Sequence, residues 1–287
     1  MVKKLSQLKN DFKKELSIVI LCAGEGTRLK QITKILPKPL IKIENLNNIS
    51  ILQHLINNLI KLEINNIGIV VGHLGNLIHQ FISTLEINEP QIKTKINIID
   101  SEDQYKLGPL YSLLAITKNK NFFKSKTHYL ILPGDTIFGY SLLKEVLVKV
   151  NDNFNSIQNS PLVFYRKIGF KKLKEAYKLD RVISVADITK SGSEARSKRI
   201  SQLKLKDIPS NEIIYQLIPI IILSYENINE IQELNQKVPQ NTIWKALNEL
   251  NFEGKKIFAY EIESKSNFYD IDYKIDLKNL KKKRKGQ

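Results

Sequence analysis

Apolar and polar positions change period repeatedly along the first half of the chain. Ser17-Ile18-Val19-Ile20-Leu21 is a short apolar run that predicts a buried strand, punctuated by Gly24 and Gly26. Across residues 49–62, Ile51, Leu52, Leu55, Ile56, Leu59 and Ile60 fall at helical spacing. The alternation then repeats, with a strand at 67–71 and a helix at 76–85, then a strand at 96–99 and a helix at 109–117. A fourth apolar run, Tyr129-Leu130-Ile131-Leu132, ends on Pro133-Gly134-Asp135. Such alternation predicts an α/β fold with a mostly parallel sheet sandwiched by helices. Ligands of such sheets bind outside the carboxyl ends of the strands, where the loops after Leu21 and Leu132 both fall.

The second half reads differently. Residues 181–188 and 200–205 are β-rich and flank a polar stretch at 191–198, which predicts a hairpin or long β-arm. A strongly apolar strand follows at 213–223, then helical patterns from Ile228 and Ile243, a strand at 255–262 and a helix at 272–280. Nothing resembling a linker separates the halves. The expectation is one domain over 1–280, with halves at about 17–140 and about 141–280 and a basic tail at 281–287.

Composition narrows the function classes. Hydrophobic residues make up 42% of the 287 and Gly and Pro are sparse, which excludes a disordered chain. The single cysteine, Cys22, excludes an internal disulfide framework and a cysteine-rich metal site, and reads as a small core residue. The four histidines show no metal spacing. No run reaches the roughly 18–20 apolar residues of a membrane span. Residues 1–15 mix Lys with Leu, Asp11 and Glu15 and lack a secretory signal's apolar stretch, so a cytoplasmic protein without a membrane partner is expected. The net charge of +16 is spread along the chain, and only Lys281-Lys282-Lys283-Arg284-Lys285 is clustered. A solvated basic surface follows, and no aromatic-interleaved basic stripe points to nucleic acid. A homo-oligomer is left open.

Candidate chemistry begins with Gly24-Glu25-Gly26-Thr27-Arg28. Glycines let backbone N–H groups approach an anion, Thr27 adds a hydroxyl, and Arg28 supplies a planar fork for phosphate oxygens. The spacing matches neither a dinucleotide-binding fingerprint nor a P-loop, so by itself it supports only a phosphate site or a structural turn. Further on, Lys38 lies between Pro37 and Pro39, which fix where its amine points.

The longer string, Leu21 to Leu29 and then Leu36-Pro37-Lys38-Pro39-Leu40, resembles the signature of the sugar-1-phosphate nucleotidylyltransferases, L-x-(A/G)-G-x-G-T-R-(L/M) followed by P-K-P-(L/M). The likeness extends over about residues 17 to 280 through Val70-Val71-Gly72-His73, Leu132-Pro133-Gly134-Asp135, and Phe268-Tyr269-Asp270-Ile271-Asp272 with Asp276-Leu277. The resemblance implies a Rossmann-like, GT-A-like fold with a β-arm on the sugar side, and transfer of a nucleoside monophosphate from a nucleoside triphosphate, dTTP or UTP favoured, to a sugar 1-phosphate. It implies Arg28 and Lys38 as catalytic residues, Arg28 at the α-phosphorus and leaving pyrophosphate and Lys38 at the attacking phosphate. Leu21, Ala23, Gly24, Gly26, Thr27, Asp103 and Gly108 would bind nucleotide, Asp135 and Asp270 would bind Mg²⁺, and Lys206 would contact the sugar phosphate. Mg²⁺ suits such a pair, because it takes one or two carboxylates together with substrate phosphates.

The segments that choose base and sugar depart from the family pattern. Gly108-Pro109-Leu110-Tyr111 replaces a small-residue run, Asp103 beside Gln104 replaces a base-reading Gln, and Leu217-Ile218-Pro219 replaces Asn-x-Gly. Of the family's E-K-P only the Lys remains, in Leu205-Lys206-Asp207. A phosphorylated alcohol such as phosphocholine as acceptor, or a non-catalytic nucleotide-sugar-binding paralogue, are the alternatives. The residues after the last motif are too few for a hexapeptide-repeat β-helix, so no acetyltransferase activity is expected.

Overall fold

The computed structural model describes residues 10–29, 31–93, 95–154, 159–177, 180–191, 194–209, 213–263 and 268–282. Most of the basic tail, 283–287, lies outside them, as do residues 1–9 of the N-terminal segment and 192–193 of the polar stretch. Short α1 (Asn10–Glu15) leads into β1 (Leu16–Leu21), whose residues are buried up to the last, as a strand covered on both faces requires. β2 (Lys42–Ile43) and β3 (Ile49–Ser50) form a small ladder before α2 (Ile51–Lys61). That helix starts two residues later than the apolar spacing predicts, because Ser50 caps it by accepting from Gln53 N at 3.1 Å. β4 (Ile67–Val71), α3 (Gly75–Asn88), β5 (Ile96–Asp100), α4 (Pro109–Leu114) and β6 (His128–Pro133) follow as the alternation predicts, α4 tightening into a 3₁₀ turn at Ala115–Lys118.

β7 (Thr136–Phe138), α5 (Tyr140–Asn153), β8 (Leu162–Gly169) and α6 (Phe170–Ala176) were not foreseen. α5 buries Leu142, Leu143, Val146, Leu147 and Val150 at helical spacing, so its signal was present in the sequence. β9 (Val182–Ser191) and β10 (Glu194–Lys204) form the expected antiparallel arm, with most of the polar stretch inside β10. β11 (Ile213–Ser224), α7 (Tyr225–Lys237), α8 (Ile243–Phe252), β12 (Phe258–Glu261), β13 (Phe268–Asp270) and α9 (Lys274–Lys282) complete the chain.

The main sheet runs β5-β4-β1-β6-β11-β8-β12-β10-β9. Its first four strands are parallel, whereas β11 is antiparallel to both β6 and β8, so the second half is mixed. Proline sits in β11 only because a bulge between Ile218 and Ile221 releases Pro219 from the ladder. β1 lies between β4 and β6, so the loops leaving β1 and β6 part on either side of a crevice at the carboxyl edge. No helix among the described residues is long and apolar enough to cross a membrane.

Candidate active site

Short-range contacts shape the glycine loop. Cys22 N donates to Val70 O at 2.8 Å and Gly134 N to Leu21 O at 2.9 Å, which stitches the ends of β1, β4 and β6 together. Gly26 takes φ +64°, and its carbonyl accepts from Leu29 N and from the Thr33 hydroxyl, each at 3.0 Å. Leu29 is anchored in a small apolar cluster with Ile41, Ile51, Ile137 and Ile271, leaving Thr27 and Arg28 exposed. Lys38 occupies a short turn, Lys38–Leu40, entered from the extended Pro37, and is 7% exposed.

Carboxylates converge on that lysine. Its Nζ lies 3.0 Å from Asp135 Oδ2 and 3.1 Å from Asp272 Oδ1, and Arg28 reaches Asp272 Oδ2 at 2.9 Å. Burial disfavours the Lys38 ammonium, but Asp135 and Asp272 outweigh it and hold its pKa above the usual lysine range. Burial likewise opposes the Asp272 charge, and Lys38 and Arg28 nevertheless hold it below the usual carboxylate range. Asp270 faces Thr136 across the β13–β7 ladder, and the Thr136 hydroxyl donates to it at 2.6 Å. Burial pushes the Asp270 carboxyl up to about 6; Thr136 and Arg181 oppose this, and the charges of Asp135 and Asp272 add to it. A carboxyl held up by burial and by two neighbouring acids is a place a cation would relieve. Among the described residues no group of three or more His, Cys, Asp or Glu is arranged around a metal, so an ion here would need substrate oxygens as well, which suits Mg²⁺.

Arg181 ties these acids to the arm. Its side chain is 4% exposed, its Nη1 donates to both Asp276 carboxylate oxygens at 3.0 Å, and its Nη2 donates to Asp270 O at 3.1 Å.

Two cavities meet at this network. The first, about 230 Å³, is lined by Leu21, Cys22, Ala23, Gly24, Gly26, Lys38 and Asp135, together with Tyr105, Pro109, Ser112 and Pro133. The second, about 180 Å³, lies against the arm and is lined by Arg28, Arg181, Asp270, Asp272, Gln216 and Trp244 among others. Lys38 thus lines the glycine-loop cavity and Arg28 the arm cavity. Thr27 lines neither. Gly108 opens α4 at φ +125°, and a Cβ there would stand 2.3 Å from Asn241 O, so its place is explained by close packing. Asp103 is exposed, pairs with Lys106 at 2.7 Å and sits in an open groove with Gln104, outside the first cavity. Lys206 is half exposed, pairs with Asp180 at 3.7 Å and lines neither cavity. Sequence reasoning missed Thr136, Tyr105, Ser112 and Arg181; no local motif marks them, and only the tertiary fold brings them in, Thr136 by strand pairing and Tyr105 and Ser112 from helical turns at the sheet edge.

A mixed sheet with this crevice at its parallel edge is the GT-A-like fold of nucleotidyltransferases. The chain belongs to the nucleotidyl transferase family of enzymes, whose family model matches residues 17–162. Similar relatives include the "Bifunctional protein GlmU" of Methanococcus maripaludis strain C5, 36% identical over 127 residues, or 44% of this chain and 26% of that protein. The protein of that name from Methanococcus aeolicus is 31% identical over 142 residues, 50% of this chain and 29% of the relative. The match therefore spans under a third of these relatives' length. Among solved structures, a UDP-glucose pyrophosphorylase complexed with UDP-glucose shares 16% identity at TM-score 0.69, covering 94% of this chain and 99% of the other. A putative glucose-1-phosphate thymidylyltransferase from Bacillus anthracis shares 18% at TM-score 0.65, covering 92% and 93%. A CTP:phosphocholine cytidylyltransferase from Streptococcus pneumoniae shares 16% at TM-score 0.62, covering 94% and 99%. At these identities the structural likenesses speak for the fold.

Proposed function

We propose that this protein transfers a nucleoside monophosphate, from dTTP or UTP, to the phosphate of a sugar 1-phosphate, releasing pyrophosphate. The observation that carries this reading is the Lys38–Asp135–Asp272–Arg28 network at the boundary between two cavities, one walled by the glycine loop and one by the arm. The acceptor's phosphate oxygen attacks the α-phosphorus in line, and the bond to the bridging oxygen of the β-phosphate breaks. Backbone N–H groups of the glycine loop cradle the triphosphate, and the Lys38 ammonium neutralises phosphate charge from the buried side. Arg28, half exposed, meets the acceptor phosphate and swings off Asp272 to do so. Asp135 and Asp270 would hold Mg²⁺, which when bound neutralises phosphate charge between the two substrates. Catalysis is then mainly positioning and charge compensation, with no covalent enzyme intermediate.

The fold similarity to a phosphocholine cytidylyltransferase favours a second reading, a phosphorylated alcohol as acceptor. Tyr177, Trp244 and Phe268 do line the arm cavity. The guanidinium of Arg181 already lies 4.6 Å from the centre of the Tyr177 ring, however, and that of Arg166 4.8 Å from Phe268, so two of the three rings already face a cation. This supports a hydroxylated acceptor.

Pyrophosphate release measured with a panel of triphosphates against sugar phosphates, phosphocholine and buffer tests both readings. Arg28→Ala and Asp135→Ala are each expected to lower turnover at least about tenfold, roughly 1.4 kcal/mol of barrier. Equal turnover in all three proteins would overturn the assignment.

A further inference from the structure

Gln216 has a fixed orientation that gives the arm cavity a defined chemistry. It lies on β11 directly opposite Arg166 of β8, and its other backbone edge pairs with Val185 of β9. Strand pairing on both sides holds its Cα in place, and the residue is 3% exposed. Arg166 Nε donates to Gln216 Oε1 at 2.9 Å. A guanidinium has no acceptor, so the atom it meets must be the amide oxygen. Arg166 is itself held: it is 9% exposed and its guanidinium lies 4.8 Å from the centre of the Phe268 ring. The Gln216 amide therefore cannot turn over without leaving a buried arginine N–H unpaired. Gln216 lines the arm cavity, and among the described residues nothing accepts from its amide nitrogen.

We infer that Gln216 is a specificity-determining residue whose NH₂ group, aimed by Arg166, donates to an uncharged oxygen of the acceptor, a hydroxyl or ring oxygen away from the reacting phosphate. This rests on the reading of the arm cavity as the acceptor's. A fixed amide donor selects for an oxygen lone pair, and an acceptor lacking that oxygen leaves a buried donor unpaired, the kind of mismatch that discriminates most strongly between analogues. Arg166 acts through Gln216 and is a positioning residue.

The test uses the full chain, the sugar 1-phosphate it turns over best, and the set of monodeoxy analogues of that sugar. Gln216→Glu keeps an oxygen for Arg166 while presenting a second oxygen, with no donor, to the cavity. Gln216→Leu removes both functions, and its thermal unfolding shows whether it remains folded. The expected result for Gln216→Glu is an acceptor KM raised at least about tenfold, with the triphosphate KM and the melting temperature unchanged. One deoxy analogue, poor for the wild type, should be used equally by both proteins, which identifies the oxygen. An unchanged acceptor KM, or a loss of the same size for every analogue, overturns the inference. If the wild-type protein turns over no sugar phosphate, the reading of the cavity has failed first, and that failure shows in the wild-type row alone.

Discussion

Replacing Gly26 by Ala tests whether the loop's backbone, rather than its side chains, places the lysine. Gly26 has φ +64°, where a Cβ costs about 1–2 kcal/mol. The added carbon would stand 2.8 Å from Thr33 Cγ2 and 2.9 Å from Lys38 Cγ. Neither neighbour gives way freely: Thr33 is buried and bonded to the Gly26 carbonyl, and Lys38 is held by two carboxylates. Overpacking of this kind adds about 1–3 kcal/mol, for a total of roughly 2–5 kcal/mol. At about 2–4 °C per kcal/mol, the melting temperature should fall by several degrees at least. Turnover should fall by about tenfold or more, since an ångström of misplacement at a reacting site can cost about a hundredfold. Gly24→Ala is the control, because a Cβ there meets nothing within 4 Å and Gly24 has no left-handed φ. Its melting temperature should hold, so any loss of pyrophosphate release would report crowding of bound phosphates. A Gly26→Ala protein that melts and turns over like the wild type would refute the reasoning.

Other expectations follow from the acids and from Cys22. Asp276 Oδ2 accepts from the backbone N–H groups of Asp272 at 2.9 Å and Tyr273 at 2.8 Å while pairing with Arg181. Asp276→Ala strips that turn and unpairs the Nη1 edge of a buried guanidinium, a loss of about 3–5 kcal/mol in urea unfolding; a change under about 1 kcal/mol would mean Asp270 and Asp272, which Nη2 still reaches, hold Arg181 without it. Burial holds the Asp270 carboxyl up at about 6 in the folded protein, against 3.8 for a free aspartate, so the folded state favours the proton. Its stabilisation is complete below 3.8 and is lost as pH rises through about 6, so metal-free wild type should lose stability across that window relative to Asp270→Asn, and parallel pH profiles would contradict this. Burial, and then Asp135, raise the Cys22 thiol well above the ordinary range, so iodoacetamide should label it only in denaturant. Stoichiometric labelling of the native protein would count against the buried placement.

Local features of the sequence were the legible ones. The strand at β1, the helices at α2 and α3 and the arm of β9 and β10 each announce themselves by a period that depends only on which faces are buried. The glycine loop was legible for the same reason: the need for a left-handed φ at Gly26 is met within one turn. Lys206 shows the limit, since a lysine in the right place along the chain still chose Asp180 over the cavity.

The sequence by itself determined that Gly24 to Arg28 and Lys38 would sit at the carboxyl edge of a parallel sheet. Tertiary structure alone decided their company. Lys38 meets Asp272 across 234 positions, Thr136 meets Asp270 across 134, and Arg181 meets Asp276 across 95. Those partners depend on strand order, with β1 beside β6 and β13 paired to β7, and not on any spacing along the chain. An ionic or hydrogen-bonded contact acts over a few ångströms of space, so no local pattern encodes it. Position along the chain marked where charge would be needed, and folding chose which charges meet.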